Sequence, residues 1–223
     1  MDAIEQLEQT AKARWSCRAY KPNPVPEDII TKITKTAQHA PSWCNAQPWQ
    51  LVITRGQETD RFRTALYDHA QGAAPSPDME WPTGYPGVYG ERRRTCGWQL
   101  YDAVGIVKGD RDASAHQMME NYRLFGAPHV AILHSPADLG AYGAMDCGGF
   151  VSMFCLAAQA MGVATIPQAA IAAHAPFVRD WFQIAKDRTI LCAISFGYAD
   201  MDHPANSFRT DREDVQNVIA WKV

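Results

Sequence analysis

Three stretches of this 223-residue chain carry residue types and spacings that can hold a ligand. In the first, Arg14 and Arg18 stand four apart with Trp15 and Ser16 between them. Guanidinium forks pair with phosphate oxygens and a hydroxyl adds a further donor, so the set suits a phosphate group. Taken alone, two arginines at a helix end serve as well as a solvated surface. The second stretch is Ala40-Pro41-Ser42-Trp43-Cys44-Asn45-Ala46-Gln47-Pro48-Trp49. Its prolines forbid a continued helix and bias the preceding residues towards extended geometry. Ser42, Asn45 and Gln47 can hydrogen-bond a flat polar ligand while Trp43 and Trp49 cover apolar surface. The same loop also reads as an ordinary helix-to-strand connection. The third is the proline-led turn Pro167-Gln168-Ala169-Ala170, small enough for its backbone N–H groups to approach a planar ligand.

The elements that must position these stretches follow from hydrophobic periodicity. Helices are predicted over 2–13, from Pro26 to about His39, and over 56–70, 91–104, 112–125, 143–161 and 176–182. Strands are predicted over 50–54, 130–133 and 189–196. Residues 143–161 are apolar on nearly every face, the mark of a core helix or a subunit interface. The segment 72–94 reads as a flap-like insertion, rich in proline, glycine and aromatic residues and bordering a site. The last residues, 215–223, suit a short strand or an arm. The order implies one α+β domain over 1–223 with a central mixed sheet surrounded by helices.

Composition sets the outer limits. Charged residues make up 20% and apolar residues 47%, ordinary for a globular chain. A net charge of −3 gives no reason to expect nucleic acid as a partner. No apolar run is expected to reach the roughly 18–20 residues that span a bilayer, so no membrane partner is expected. The acidic N-terminus lacks a signal pattern, and a cytoplasmic setting is expected. Six scattered cysteines, none in C-x-x-C, are expected as free thiols without metal spacing. Cys44 is the best placed of them for chemistry, with no evident basic partner. Nucleotide-binding glycine motifs and the hydrolase and zinc-protease signatures are absent.

Taken together, four ordered motifs resemble the FMN-dependent nitroreductase family over essentially the whole chain. They are Arg14-x-Ser16-x-Arg18, the loop from Ala40 to Trp49, Pro167-Gln168-Ala169-Ala170, and Gly197-Tyr198-Ala199-Asp200 with Asn206-x-x-Arg209-Thr210. Tyr85, Tyr89, the run Arg92-Arg93-Arg94 and Asn121 look most like the nitrobenzoate reductase branch. The resemblance implies a homodimer with FMN at the subunit interface and a C-terminal arm extending onto the partner subunit. It implies NADH or NADPH as electron donor, a small aromatic acceptor and ping-pong turnover. Arg14, Arg18 and Arg209 would neutralise the FMN phosphate, with Trp15 and Ser16 beside them. Pro41, Ser42, Trp43 and Asn45 would reach the flavin of the other subunit, and Gln47 would brace their loop. Pro167, Gln168, Ala169 and Ala170 would lie along one flavin face, with Asn121 or Arg123 at the pyrimidine edge. Ala169 stands where many members carry glutamate, which removes a charge near the flavin. No catalytic side chain is named, because hydride transfer needs orientation and a dry face more than an acid or base. The same scaffold also serves reductive dehalogenation, ene reduction, or flavin storage without turnover.

Overall fold

The computed structural model describes residues 2–222. Met1 and Val223, the ends of the expected domain and arm, lie outside the described residues. In chain order the helices are α1 (Ala3–Ala13), α2 (Glu27–Ala37), α3 (Gln57–Gly72), α4 (Val88–Ala103), α5 (Arg111–Met119), α6 (Gly140–Ala160), α7 (Ala169–Ala172) and α8 (Ala175–Phe182). The strands are β1 (Gln50–Ile53), β2 (His129–Pro136), β3 (Ala164–Gln168) and β4 (Arg188–Gly197), in the sheet order β1-β2-β4-β3.

Strand β2 is buried along almost its whole length because helices cover both faces of the sheet. Val130 and Ile132 point into one core with Phe62 and Leu66 of α3 and Val178 of α8. Ala131 and Leu133 point into the other, with Ile33 of α2 and Phe150 and Phe154 of α6. This period-2 division is what a pleated strand dictates. The expected α+β layout with a central sheet is present, with one refinement. All four strands pair antiparallel, and the parallel pairing is confined to a single bridge between Ser16 and Thr165.

Three local expectations change. The helix predicted over 112–125 ends at Met119, because Leu124 and Phe125 take positive φ (57° and 52°) ahead of Gly126. The predicted flap of 72–94 divides into an irregular 73–87 and the first turns of α4, which begins at Val88 rather than Glu91. Ala137–Ala160 is apolar enough over sufficient length to cross a membrane, contrary to the expectation that no such run exists. Cys147, Phe150, Phe154 and Ala158 of α6 pack into the second core.

Two buried histidines of the interior strand β2 tie neighbouring segments to the sheet. His129 Nε2 accepts a hydrogen bond from the Val25 N–H (3.0 Å), and its Nδ1 donates to the Thr54 carbonyl (3.0 Å). Arg188 Nε donates to His134 Nδ1 at 2.9 Å. A ring nitrogen that accepts cannot carry a proton, so both rings are held neutral. Burial lowers the His129 pKa, and burial with the Arg188 charge lowers that of His134 to about 4. Between about 6.5, the unfolded value, and these folded values the unfolded chain binds more protons. Stability is therefore complete above pH ~6.5 and is lost as pH falls through about 4 for His134. Urea unfolding should show a lower midpoint at pH 5 than at pH 7.5, with a shallower pH slope in His134→Gln. Equal slopes in wild type and variant would remove His134 from this account.

Candidate functional site

The segment Ser16–Lys21 runs as an extended strip between two parts of the fold. Cys17 N–H donates to the Thr165 carbonyl of β3 (3.1 Å), and Lys21 N–H donates to the Tyr198 carbonyl (2.8 Å). This fixes Arg14, Trp15, Ser16 and Arg18 at the mouth of a cavity of about 450 Å³. Cys96 of α4 and the segment Phe208–Arg212 close the other side. Five cations line it, Lys12, Arg14, Arg18, Arg209 and Arg212, and among the described residues no carboxylate does. In a chain of net charge −3 that is a strong local excess of positive charge.

The arginines are aimed without being neutralised. Arg18 donates to the Ser16 carbonyl (3.1 Å) and lies over the Phe208 ring, 5.6 Å from its centroid. Arg209 donates to the Asn206 and Phe208 carbonyls (2.8 and 2.7 Å) and lies 4.2 Å over the Trp15 ring. Arg212 donates to Thr210 Oγ1 (3.0 Å). None of the four arginines is ion-paired to a carboxylate among the described residues. Burial lowers the Arg18 pKa from its ordinary value, because its charge is taken from water without a counter-ion. Trp15 Nε1 is buried with no hydrogen-bond partner. Unneutralised guanidinium groups and an orphaned donor around one cavity fit an anion of at least two charges.

A second cavity, of about 300 Å³, shares Ser16 and Arg18 with the first. Its walls mix apolar and polar groups: Leu100 and Tyr101 of α4, Gln117 and Met118 of α5, Asn121, Phe125 and the run Ile166–Ala169. Gln168 is 3% exposed, and its side chain turns away from the cavity. Its Nε2 donates to the Asn121 carbonyl (2.9 Å), and its Oε1 accepts from Ser195 Oγ (2.5 Å). Gln168 thus sets the position of Asn121, and its backbone faces the ligand space. Ala169 and Ala170 open α7, where the first N–H groups have no partner within the helix. Asn121 lies on the cavity wall, whereas Arg123 lies over the Tyr67 ring at 4.5 Å and faces Glu120.

The two cavities adjoin at Ser16 and Arg18, and comparison with known proteins identifies the family. The Nitroreductase family model matches residues 11–198. The chain belongs to the nitroreductase family. It is 35% identical over 222 residues to nitroreductase NfnB of Mycolicibacterium smegmatis, covering 99% of this chain and 94% of that protein. It is 30% identical to the 4-nitrobenzoate reductase of a Nocardioides species, over 99% of this chain and 92% of that one. The crystal structure of the FMN-dependent NfnB of Mycobacterium smegmatis with NADPH superposes with a TM-score of 0.95, 34% identity and full coverage of both chains. The FMN- and NADPH-dependent NfnB from sphigopyxis sp. strain HMH gives 0.93 at 28% identity, covering 97% and 99%. The nitroreductase fold is thereby shown.

Not every predicted site residue of this nitroreductase gathers at the cavities. Pro41, Ser42, Trp43 and Asn45 line neither of them. They form a separate projecting loop on which Trp43 is 55% exposed. The loop is strained: Cys44, Asn45 and Gln47 all take positive φ (52°, 57° and 48°). Such non-glycine residues cost roughly 1–3 kcal/mol each, so the surroundings must enforce the shape. Asp146 of α6 does so by accepting the Trp43 N–H on both oxygens (3.1 and 3.2 Å). The Gln47 N–H donates to Ser42 Oγ (3.0 Å), and Trp43 packs edge-on to Tyr142 at 4.1 Å. Pattern reading missed Cys96, Leu100 and Arg212. The spacing of the first two, four apart on one helix face, was the available signal.

The charge arrangement makes a simple prediction for the apo chain. At about five times its Kd, inorganic phosphate should stabilise it by about 1 kcal/mol and raise Tm by about 2–4 °C. Arg18→Ala should abolish most of that shift. An undiminished shift would place the anion elsewhere.

Proposed function

We propose that this chain is an FMN-dependent oxidoreductase that uses NADH or NADPH to reduce nitroaromatic compounds or quinones by a ping-pong mechanism. The observation that carries the reading is the cluster of five cations, with no carboxylate among the described residues lining it, beside a second cavity that shares Ser16 and Arg18 and is walled by Leu100, Tyr101, Asn121, Ile166 and Pro167. FMN has that shape and charge: a dianionic phosphate at one end and a planar ring at the other. When bound, FMN supplies the two-electron carrier between dinucleotide and acceptor.

The chain's own residues bind, orient and exclude water. Arg14, Arg18 and Arg209 hold the phosphate, with Ser16 as a further donor and Trp15 as the shelf under Arg209. Asn121, set by Gln168, meets the polar edge of the ring. Pro167 would pack along the ring, and the free N–H groups at the start of α7, Ala169 and Ala170, would serve as hydrogen-bond donors to it. Donors placed where negative charge develops stabilise it without reorganising. No side chain of the chain is assigned as acid or base.

The active unit we propose is a cytoplasmic homodimer. Pro41, Ser42, Trp43 and Asn45 would then complete the site of the other subunit, which explains a strained loop pointing away from its own cavities. Further support is apolar surface that one chain leaves uncovered. α1 buries no residue, and Ile4, Leu7, Tyr142, Met145 and Trp221 are all well exposed. Trp221 belongs to the C-terminal arm, which would lie on the partner. All six cysteines are free thiols, in keeping with a reducing compartment.

Steady-state rates with both donor and acceptor varied should give parallel double-reciprocal lines. Intersecting lines would contradict alternate occupancy. Arg209→Ala should weaken FMN binding by about tenfold or more, since a charged hydrogen bond is worth about 1.5–3 kcal/mol. Unchanged affinity by fluorescence titration would remove Arg209 from the phosphate site. Sedimentation at micromolar concentration should give a dimer, and a monomer would sink the shared site.

A further inference from the structure

The cationic cavity is assembled from two segments far apart in the chain, and one buried amide joins them. Asn206 is 1% exposed. Its Oδ1 accepts the Arg18 backbone N–H at 2.8 Å. Its Nδ2 donates to the carbonyls of Ala19 (2.9 Å) and Asp200 (2.8 Å). Its own carbonyl accepts from Arg209 Nη1 at 2.8 Å. The side chain thus uses one acceptor and both donors, and its backbone holds the second arginine. Around it the segments grip each other in both directions. Arg18 of the first lies over Phe208 of the second, and Arg209 of the second lies over Trp15 of the first.

We propose that Asn206, with Phe208, is the positioning element that converts these arginines into a phosphate-selective site. This rests on the FMN reading above. The residue type follows from electrostatics. Guanidinium groups crowded round one cavity repel one another, and acids would ordinarily be used to hold them. An acid would also neutralise the cluster and compete with the phosphate. A neutral amide organises the same segments and leaves their charge free for the ligand. An aspartate could not donate to Ala19 and Asp200, and it would place a carboxylate beside both arginines.

Selectivity is read by comparing FMN with riboflavin, which carries the same ring without the phosphate. Kd values for both would be measured with the full-length dimer for wild type, Asn206→Ala, Asn206→Asp and Phe208→Leu. Wild type should prefer FMN strongly. The preference should fall by about tenfold or more in the two Asn206 variants, the scale of one charged hydrogen bond, with riboflavin binding held within about threefold. Phe208→Leu keeps every hydrogen bond of Asn206 and should lower the preference by a smaller factor. It decides the matter if the Asn206 variants fail to fold. Equal weakening of both ligands, or an unchanged ratio in Phe208→Leu, would overturn the positioning role. A wild type that does not distinguish FMN from riboflavin would instead overturn the FMN reading and the proposal with it.

Discussion

The structure depends on keeping positive charge together without neutralising it. Four arginines and a lysine surround one cavity with no acid on its walls among the described residues, in a chain that is acidic as a whole. Mutual repulsion would scatter such groups on an ordinary surface. Here backbone carbonyls accept their hydrogen bonds, and the Trp15 and Phe208 rings lie beneath two of them. Carbonyls and aromatic faces orient a guanidinium while leaving its net charge available. The result is a site whose unsatisfied charge is its binding energy.

The rest of the fold serves to hold that arrangement beside a flat pocket. β4 is the link. Its Ser195 hydroxyl fixes Gln168, Gln168 fixes Asn121, and the residues just after β4 pair with the strip that carries Arg18. A well-packed core on both faces of the sheet makes that register rigid. The strained 42–47 loop is the exception. It is held in shape by Asp146, yet Pro41, Ser42, Trp43 and Asn45 line neither of the two cavities. Strain of that kind is retained where function over-determines the conformation, and in the proposed dimer that function is completion of the other subunit's site.

Much of this was legible in the residues themselves. The Arg14-x-Ser16-x-Arg18 spacing pointed to residues that the structure does bring to one cavity, although taken alone it read equally as a solvated helix end. The proline-bounded loop announced a rigid projection. Periodicity placed most helices and three of the strands, because a sheet covered on both faces leaves apolar runs that cannot be mistaken for loops. What could not be read depends on contacts far apart in sequence. The inward turn of Gln168 requires Ser195 across the sheet, and the break after Met119 requires left-handed geometry at Leu124 and Phe125 that no propensity favours. Arg212 and Cys96 join the cavity only because the chain's last segment folds back over α4.

The most direct test is the absorbance spectrum of the purified protein, recorded anaerobically before and after one equivalent of NADPH or NADH. The account predicts an oxidised flavin spectrum that bleaches with the donor and returns when a nitroaromatic or quinone is added. Protein that shows no flavin, even after incubation with FMN, would contradict it.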